Sequence, residues 1–179
     1  MNVWYVNSIL GIFRLEEEND AICGLTLCPD GVPELEPLPR KVCETPLLQE
    51  AEEQLNEYFA GARREFDLPL APKGTPFQKA VWAEMCRIPY GETRTYGQLA
   101  AAVGKPKASR AVGGACHCNP IAILQPCHRV VGSTGKLTGY AYGVEMKQYL
   151  LELEKQDSDQ RGDAGTDPRE NPVLKRHDR

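Results

Sequence analysis

Thr95–Ala115 reads TYGQLAAAVGKPKASRAVGGA, and this stretch decides the architecture. Thr95 with Gln98 three residues later forms a capping box, and Tyr96, Leu99, Ala100 and Val103 fall at i, i+3, i+4 and i+7, one face of a helix. Gly104 stops that helix. A second helix is expected from about Lys107, with Ala108, Ala111, Val112 and Ala115 as its buried stripe and Arg110 and Gly113 turned away from it. Two short helices joined by a glycine-containing turn make a helix-turn-helix.

Working outward, Thr75-Pro76-Phe77-Gln78 is another capping box with proline at the first helical position, and Phe77, Val81 and Met85 share a face before Pro89 and Gly91 end the helix. Asp67–Thr75, DLPLAPKGT, reads as a linker. Before it, Thr45-Pro46 opens a helix whose apolar face is Leu48, Ala51, Leu55, Tyr58 and Phe59. Pro29–Pro39 reads as loop, and the apolar segments Val3–Leu15 and Ala21–Leu27 flank EEEND as a β-hairpin. The chain therefore divides into a small α/β domain at 1–70 and a mostly helical domain at 75–154. The segment 155–179 is charged and nearly free of large apolar residues, so it is expected to be a disordered tail.

Composition excludes several classes. Hydrophobic residues make up 41% and charged residues 26% of 179, ordinary for a globular protein. No apolar run reaches membrane-spanning length, and MNVWYVNSIL lacks the pattern of a secretory signal. The seven cysteines are then expected to be reduced thiols in the cytoplasm. The net charge of −4 hides an asymmetry: residues 1–74 carry 14 acidic against 6 basic side chains, residues 75–154 carry 9 basic against 5 acidic. Either only the second half meets a polyanion, or two solvated surfaces differ in sign.

The chemistry gathers at Leu124–Tyr140, LQPCHRVVGSTGKLTGY. Cys116, His117, Cys118, Cys127 and His128 are all acceptable zinc donors, but their spacing is not that of a common zinc site. Cys116 and Cys118 would also lie about 200° apart on a helix. Cys127 is alternatively a structural core thiol, although Pro126, His128 and Arg129 are an odd setting for one. The third reading is an activated nucleophile, which needs a base or a nearby positive charge. Adjacent residues of an extended chain point to opposite sides, so His128 assists Cys127 only at a sharp bend or through a water. The residues alone leave these readings open.

Seven motifs then stand in order: TPFQKAVW, TYGQLA, SRAVGGA, NP, PCHRVVGS, LTGYAYG and LLELE. Together they make Thr75–Glu154 resemble the active-site domain of the O6-alkylguanine-DNA alkyltransferases, the methylated-DNA–protein-cysteine methyltransferases. Residues 1–70 resemble that family's small N-terminal domain less specifically. The resemblance implies an α+β chain: a ribonuclease-H-like α/β domain followed by a winged helix-turn-helix active-site domain. It implies a single-turnover DNA repair protein that takes the alkyl group of O6-alkylguanine onto Cys127. His128 then takes the thiol proton through a water, Glu154 orients His128, and Tyr96 donates to guanine N3. Arg110 is similar to the family's arginine finger, and Gly113 and Gly114 allow close approach of DNA in the minor groove. Lys105, Lys107 and Arg94 are implied phosphate contacts, and Arg129 a brace for the loop. Asn119 resembles the hinge, while Pro126, Val130, Ser133, Tyr140, Ala141 and Tyr142 are implied around the hinge and pocket. The implied partner is double-stranded DNA, with O4-alkylthymine a second candidate lesion. A monomer is implied, with no cofactor, metal or membrane.

Four departures stand out. Gln125 replaces an apolar residue before the PCHRV proline, and Cys116-His117-Cys118 fills the gap before NP unusually. Ala141 lacks a hydroxyl found in some members, and Tyr142 is bulky where many have glycine. The rival functions are a non-catalytic lesion sensor, which would lack the acceptor cysteine, a winged-helix regulator and a multi-turnover thiol hydrolase.

Overall fold

Asn19 and Asp20 both take positive φ (53° and 60°), the conformation of a tight two-residue hairpin turn. They join β2 (Gly11–Glu18) to β3 (Ala21–Cys28). The hairpin expected from the sequence is present but not complete. Val3–Leu15 is itself folded back between β1 (Asn2–Ser8) and β2, with the Ser8 hydroxyl donating to the Gly11 carbonyl at 2.8 Å. In this computed structural model, which describes residues 1–34 and 40–162, the short β4 (Lys41–Val42) adds parallel to β1. The sheet order is β3-β2-β1-β4. Helix α1 (Pro46–Phe59), capped by the Thr45 hydroxyl, lays Leu48, Ala51, Leu55 and Tyr58 on that sheet. Residues 35–39 of the Pro29–Pro39 loop lie outside the described residues.

The 67–75 linker does more than connect. Ile22 N–H donates to the Pro69 carbonyl and Ala71 N–H to the Ile22 carbonyl, both at 2.8 Å, so the segment runs along the free edge of β3. Beyond it, α2 (Pro76–Met85) and α3 (Tyr96–Ala102) each begin with a formed capping box, Thr75 with Gln78 and Thr95 with Gln98. Helix α4 (Ser109–His117) starts two residues later than the apolar pattern suggested and has no side-chain cap. The pair β5 (Arg94–Thr95) and β6 (Val130–Val131) runs parallel and ties the start of α3 to the segment after Cys127. In place of a wing hairpin, residues 132–143 form a loop pinned by Gly132 N–H to the Lys136 carbonyl.

The last helix, α5 (Val144–Gly162), corrects the expected tail. Residues 155–162 are helical because they have partners: Arg64 holds Asp157 through its side chain at 3.2 Å and its carbonyl at 3.1 Å. Residues 163–179, the rest of that expectation, lie outside the described residues. One apolar cluster runs through both halves, from Phe13, Leu25 and Tyr58 to Trp82, Leu99 and Leu150.

Candidate active site

Cys127 opens a single 3-10 turn, Cys127–Arg129, directly after Pro126. That turn is the bend the sequence required: Cys127, His128 and Arg129 all point into the protein, at 6%, 0% and 6% exposure. The thiol accepts a hydrogen bond from Asn119 Nδ2 at 3.2 Å. Burial raises its pKa, and the Asn119 bond and the charge of Lys147 pull it partly back. Tyr140 packs beside it, its hydroxyl buried without a well-formed hydrogen bond, and burial together with the thiol's charge pushes that phenol well above its ordinary value.

Asn119 is a hub. Its Nδ2 also donates to the Gln125 carbonyl at 2.8 Å, and its Oδ1 accepts from Ile121 N–H at 3.0 Å and Gln125 Nε2 at 2.7 Å. Gln125, the polar departure in the sequence, is 3% exposed and adds a side-chain donor to Asn119 Oδ1, reinforcing the amide orientation that the Ile121 N–H and the Gln125 carbonyl set. An apolar residue could not do this.

His128 Nε2 lies 2.7 Å from Glu154 Oε1. With that nitrogen carrying the hydrogen, Nδ1 holds the lone pair, and Nδ1 is buried with no partner. Burial lowers the His128 pKa despite the opposing pull of Glu154, so the ring is neutral and able to accept a proton. Glu154 is fully buried on the α5 stripe Met146, Leu150, Glu154. Burial alone would raise its pKa, but His128 and Arg129 hold it down at about 2. Arg129 donates through Nε at 2.9 Å to Oε2 and Nη2 at 2.9 Å to Oε1, while Nη1 braces the Ile88 carbonyl at 2.8 Å. Gly91 N–H adds a bond to Oε2 at 3.3 Å, and Tyr58 one to Oε1 at 2.8 Å.

Tyr96 stands at the mouth of a cleft of about 610 Å³ between α4 and the 132–143 loop, lined also by Ser109, Arg110, Gly113, Gly114 and Thr138. Its hydroxyl donates to the Thr138 carbonyl at 3.0 Å. Lys147, buried beneath, places its ammonium 3.5 Å from that hydroxyl and 5.7 Å from the ring centre, and donates to the Val130 and Thr138 carbonyls. Arg110 and Gly114 are exposed, and a Cβ built on Gly114 meets nothing within 4 Å. Lys107 is exposed and Arg94 half-buried on β5, whereas Lys105 lies over the Phe77 ring at 5.2 Å. Ser133 and Ala141 are exposed on the loop, and Val130 is buried.

Tyr142 is half-buried, its ring edge-on to Tyr140 at 5.8 Å, with its hydroxyl toward Thr26 and the Leu27 main chain of β3. Cys116 and Cys118 diverge: Cys116 faces the core against Met85 Sδ at 3.6 Å and is pushed by burial to about 12, while Cys118 faces solvent. Among the described residues no group of three His, Cys, Asp or Glu is placed to hold a metal ion.

Sequence reasoning flagged Gln125 only as a departure and missed Lys147 and Tyr58. Lys147 left a signal, since it falls on the stripe of Leu150 and Glu154 at helical spacing.

Residues 76–156 match the model of the 6-O-methylguanine DNA methyltransferase DNA-binding domain, and residues 3–72 that of its ribonuclease-like domain. A methylated-DNA–protein-cysteine methyltransferase of Methanosarcina barkeri is 61% identical over 107 residues, 60% of this chain and 68% of that one. The constitutive protein of that name from Bacillus subtilis is 58% identical over 113 residues, 63% of this chain and 68% of that one. The crystal structure of Mycobacterium tuberculosis OGT in complex with DNA matches with TM-score 0.80 and 41% identity, over 88% of this chain and 94% of that one.

Proposed function

Since the chain belongs to the 6-O-methylguanine DNA methyltransferase family, we propose that Cys127 is the acceptor that takes the alkyl group from O6-alkylguanine in DNA. The activity is DNA repair by alkyl transfer from methylated DNA to a cysteine of the protein itself. One observation carries the choice of cysteine. Among the described residues, Cys127 alone combines an amide donor on its sulfur with a neighbouring buried histidine that is held by a carboxylate and has its other nitrogen without a partner.

In this reading His128 Nδ1 takes the thiol proton through a bridging water, and Glu154 stabilises the resulting imidazolium. The thiolate attacks the alkyl carbon, an S–C bond forms, and the C–O6 bond breaks with its electron pair passing to the guanine. Tyr96 exchanges its bond to Thr138 for one to guanine N3, which lowers the cost of that negative charge. Lys147, donating to the same hydroxyl, makes the phenol a better donor. The product is a thioether with no easy leaving group, so each molecule acts once.

The alkyl carbon is out of reach in a duplex, so the base is flipped into the cleft and Arg110 fills the gap. Gly113 and Gly114 let α4 approach the minor groove, a mode that suits indifference to sequence. Lys107, Arg94 and Lys105 meet phosphates, Lys105 from a position with its ammonium over the Phe77 ring. O4-alkylthymine presents a related alkyl ether and is the second candidate substrate. No helix of the described residues is long and apolar enough to cross a membrane. We place the protein in the cytoplasm as a monomer, where free thiols stay reduced.

The test is mass analysis of peptides after mixing with a duplex carrying one O6-methylguanine. The expected product is one added CH2 on the peptide containing Cys127, with Cys127→Ala losing transfer and keeping duplex binding. An adduct on another cysteine, or transfer by Cys127→Ala, overturns the assignment.

A further inference from the structure

The cleft is lined by residues between Tyr96 and Gly139, none of them from the N-terminal domain. One of its side chains nevertheless reaches the chemistry. Tyr58, on the last turn of α1, donates its hydroxyl to Glu154 Oε1 at 2.8 Å across 96 positions of sequence. That oxygen is the one His128 Nε2 addresses at 2.7 Å. The Tyr58 ring is fully buried, edge-on to Phe59 at 5.5 Å and to Tyr90 at 6.1 Å, and tilted against Phe66 at 5.3 Å. A donor so confined cannot turn elsewhere.

We propose that Tyr58 is a positioning residue for alkyl transfer: from the N-terminal domain, its hydroxyl fixes the plane and moderates the basicity of the carboxylate that tunes His128. The inference rests on His128 being the base and Glu154 its partner.

A carboxylate oxygen has two in-plane lone pairs, and Oε1 meets three short donors: His128 Nε2, Tyr58 and Arg129 Nη2. Each donor draws charge from the oxygen, so each competes with the others. Weakening the phenol donor leaves more negative charge for His128 and favours its imidazolium; strengthening it does the reverse. The other groups facing the pair stay in place. Glu154 meets Arg129 and His128 from the 3-10 turn and Gly91 N–H from the loop after α2. His128 feels Glu154, Arg129 and, from α5, Lys147. The Tyr90 phenol lies under Arg129, with Arg64 and its partner Asp157 beyond it. Burial and the charge of Glu154 push the Tyr58 phenol well above its ordinary value, so it remains a donor throughout the working range.

The experiment uses the full-length protein and the single-turnover rate of methyl transfer from an O6-methylguanine duplex between about pH 5 and 9, the range in which histidine titrates. Wild type, Tyr58→Phe, and protein with 3-fluorotyrosine at position 58 alone are compared. The fluorinated phenol is a stronger donor with nearly the same shape. The acid limb should move to higher pH in Tyr58→Phe and to lower pH with fluorotyrosine, each by a few tenths of a unit. Duplex affinity should be unchanged in both. Opposite shifts from weaker and stronger donors cannot come from packing. Coincident acid limbs overturn the proposal, whatever happens to the unfolding midpoint, and if Tyr58→Phe fails to fold the fluorotyrosine arm decides alone. Glu154→Gln separates the two layers. If it too leaves the limb unmoved, the assignment of His128 and Glu154 fails; if it moves the limb while both Tyr58 changes do not, only the present inference fails.

Discussion

Replacing Glu154 by Gln keeps the side chain's shape and removes its charge, which separates electrostatics from packing. The carboxylate is fully buried and accepts from His128, Tyr58, Arg129 and Gly91. An amide accepts through one oxygen only, so its NH2 must face donors, and the Arg129 guanidinium loses its counter-charge. Breaking a buried ion pair costs about 3–5 kcal/mol. For a chain of this size that lowers Tm by roughly 6–20 °C. The chemical effect is separate. A hydrogen bond to a charged group contributes about 1.5–3 kcal/mol, and in the proposed mechanism the loss falls on the imidazolium formed as the Cys127 thiol gives up its proton. Transfer should therefore slow by roughly ten- to a hundredfold. The sign of the pH effect follows from the same contacts. Burial already holds the His128 pKa below its ordinary value against the pull of Glu154. Without that pull it falls further, so the acid limb of the rate moves to lower pH while the plateau drops. The Cys127 thiol, deprived of a stable imidazolium beside its anion, ionises at higher pH. Rapid-quench single turnovers across pH, with calorimetric unfolding of the same samples, measure both effects. A wild-type plateau with an unmoved acid limb would refute the role of Glu154, even if Tm falls by that amount.

Two further changes probe the DNA side and the pocket. Arg110→Ala should slow repair in duplex DNA more than transfer from free O6-methylguanine base, because only the duplex has a gap to fill; equal losses on both would remove Arg110 from base flipping. Tyr142 holds its ring between Tyr140 and β3, and with Tyr142 in its proposed role as a wall of the alkyl pocket the protein should repair O6-methylguanine well and react poorly with O6-benzylguanine. Tyr142→Gly should restore the benzyl reaction with little change to the methyl one, and fast benzyl transfer by the wild type would sink this steric account.

What the sequence disclosed was local. The capping boxes at Thr75 and Thr95 form as read because their partners lie three residues away. The turn at Ser8–Gly11 was hidden because its middle residues, Ile9 and Leu10, are apolar, and Ile9 is left exposed. Glu154 was legible through the LLELE motif, but its depth was not. That depth is set by Arg129, Tyr58 and Gly91, which lie 25, 96 and 63 positions away. Gln125 read as a misfit because its hydrogen-bond partner, Asn119, depends on the loop folding back on itself. The charged segment after Lys155 looked unable to order itself, and Arg64 supplies the reason residues 155–162 are helical.

The same long-range contacts show why the two domains cannot be divided between scaffold and chemistry. The segment after Asn119 docks on β3: Leu25 N–H donates to the Pro120 carbonyl at 2.9 Å, and Ala122 N–H to the Leu25 carbonyl at 3.1 Å. Immediately after that anchor, Ile123 sits at φ 68°, a left-handed conformation that a β-branched residue adopts only at a cost of order 1–3 kcal/mol. Such a cost persists only where surrounding contacts over-determine the backbone. Here β3 holds one side through Leu25, and the Asn119–Gln125 amide pair holds the other. Four residues later the chain enters the turn that buries Cys127 and aims His128 at Glu154. The N-terminal sheet thus sustains the strained loop that leads to Cys127, while its helix supplies the Tyr58 hydroxyl to the carboxylate paired with His128. Loosening β3 should therefore appear first as altered reactivity of Cys127, before any loss of the helix-turn-helix, whose α2, α3 and α4 pack on one another.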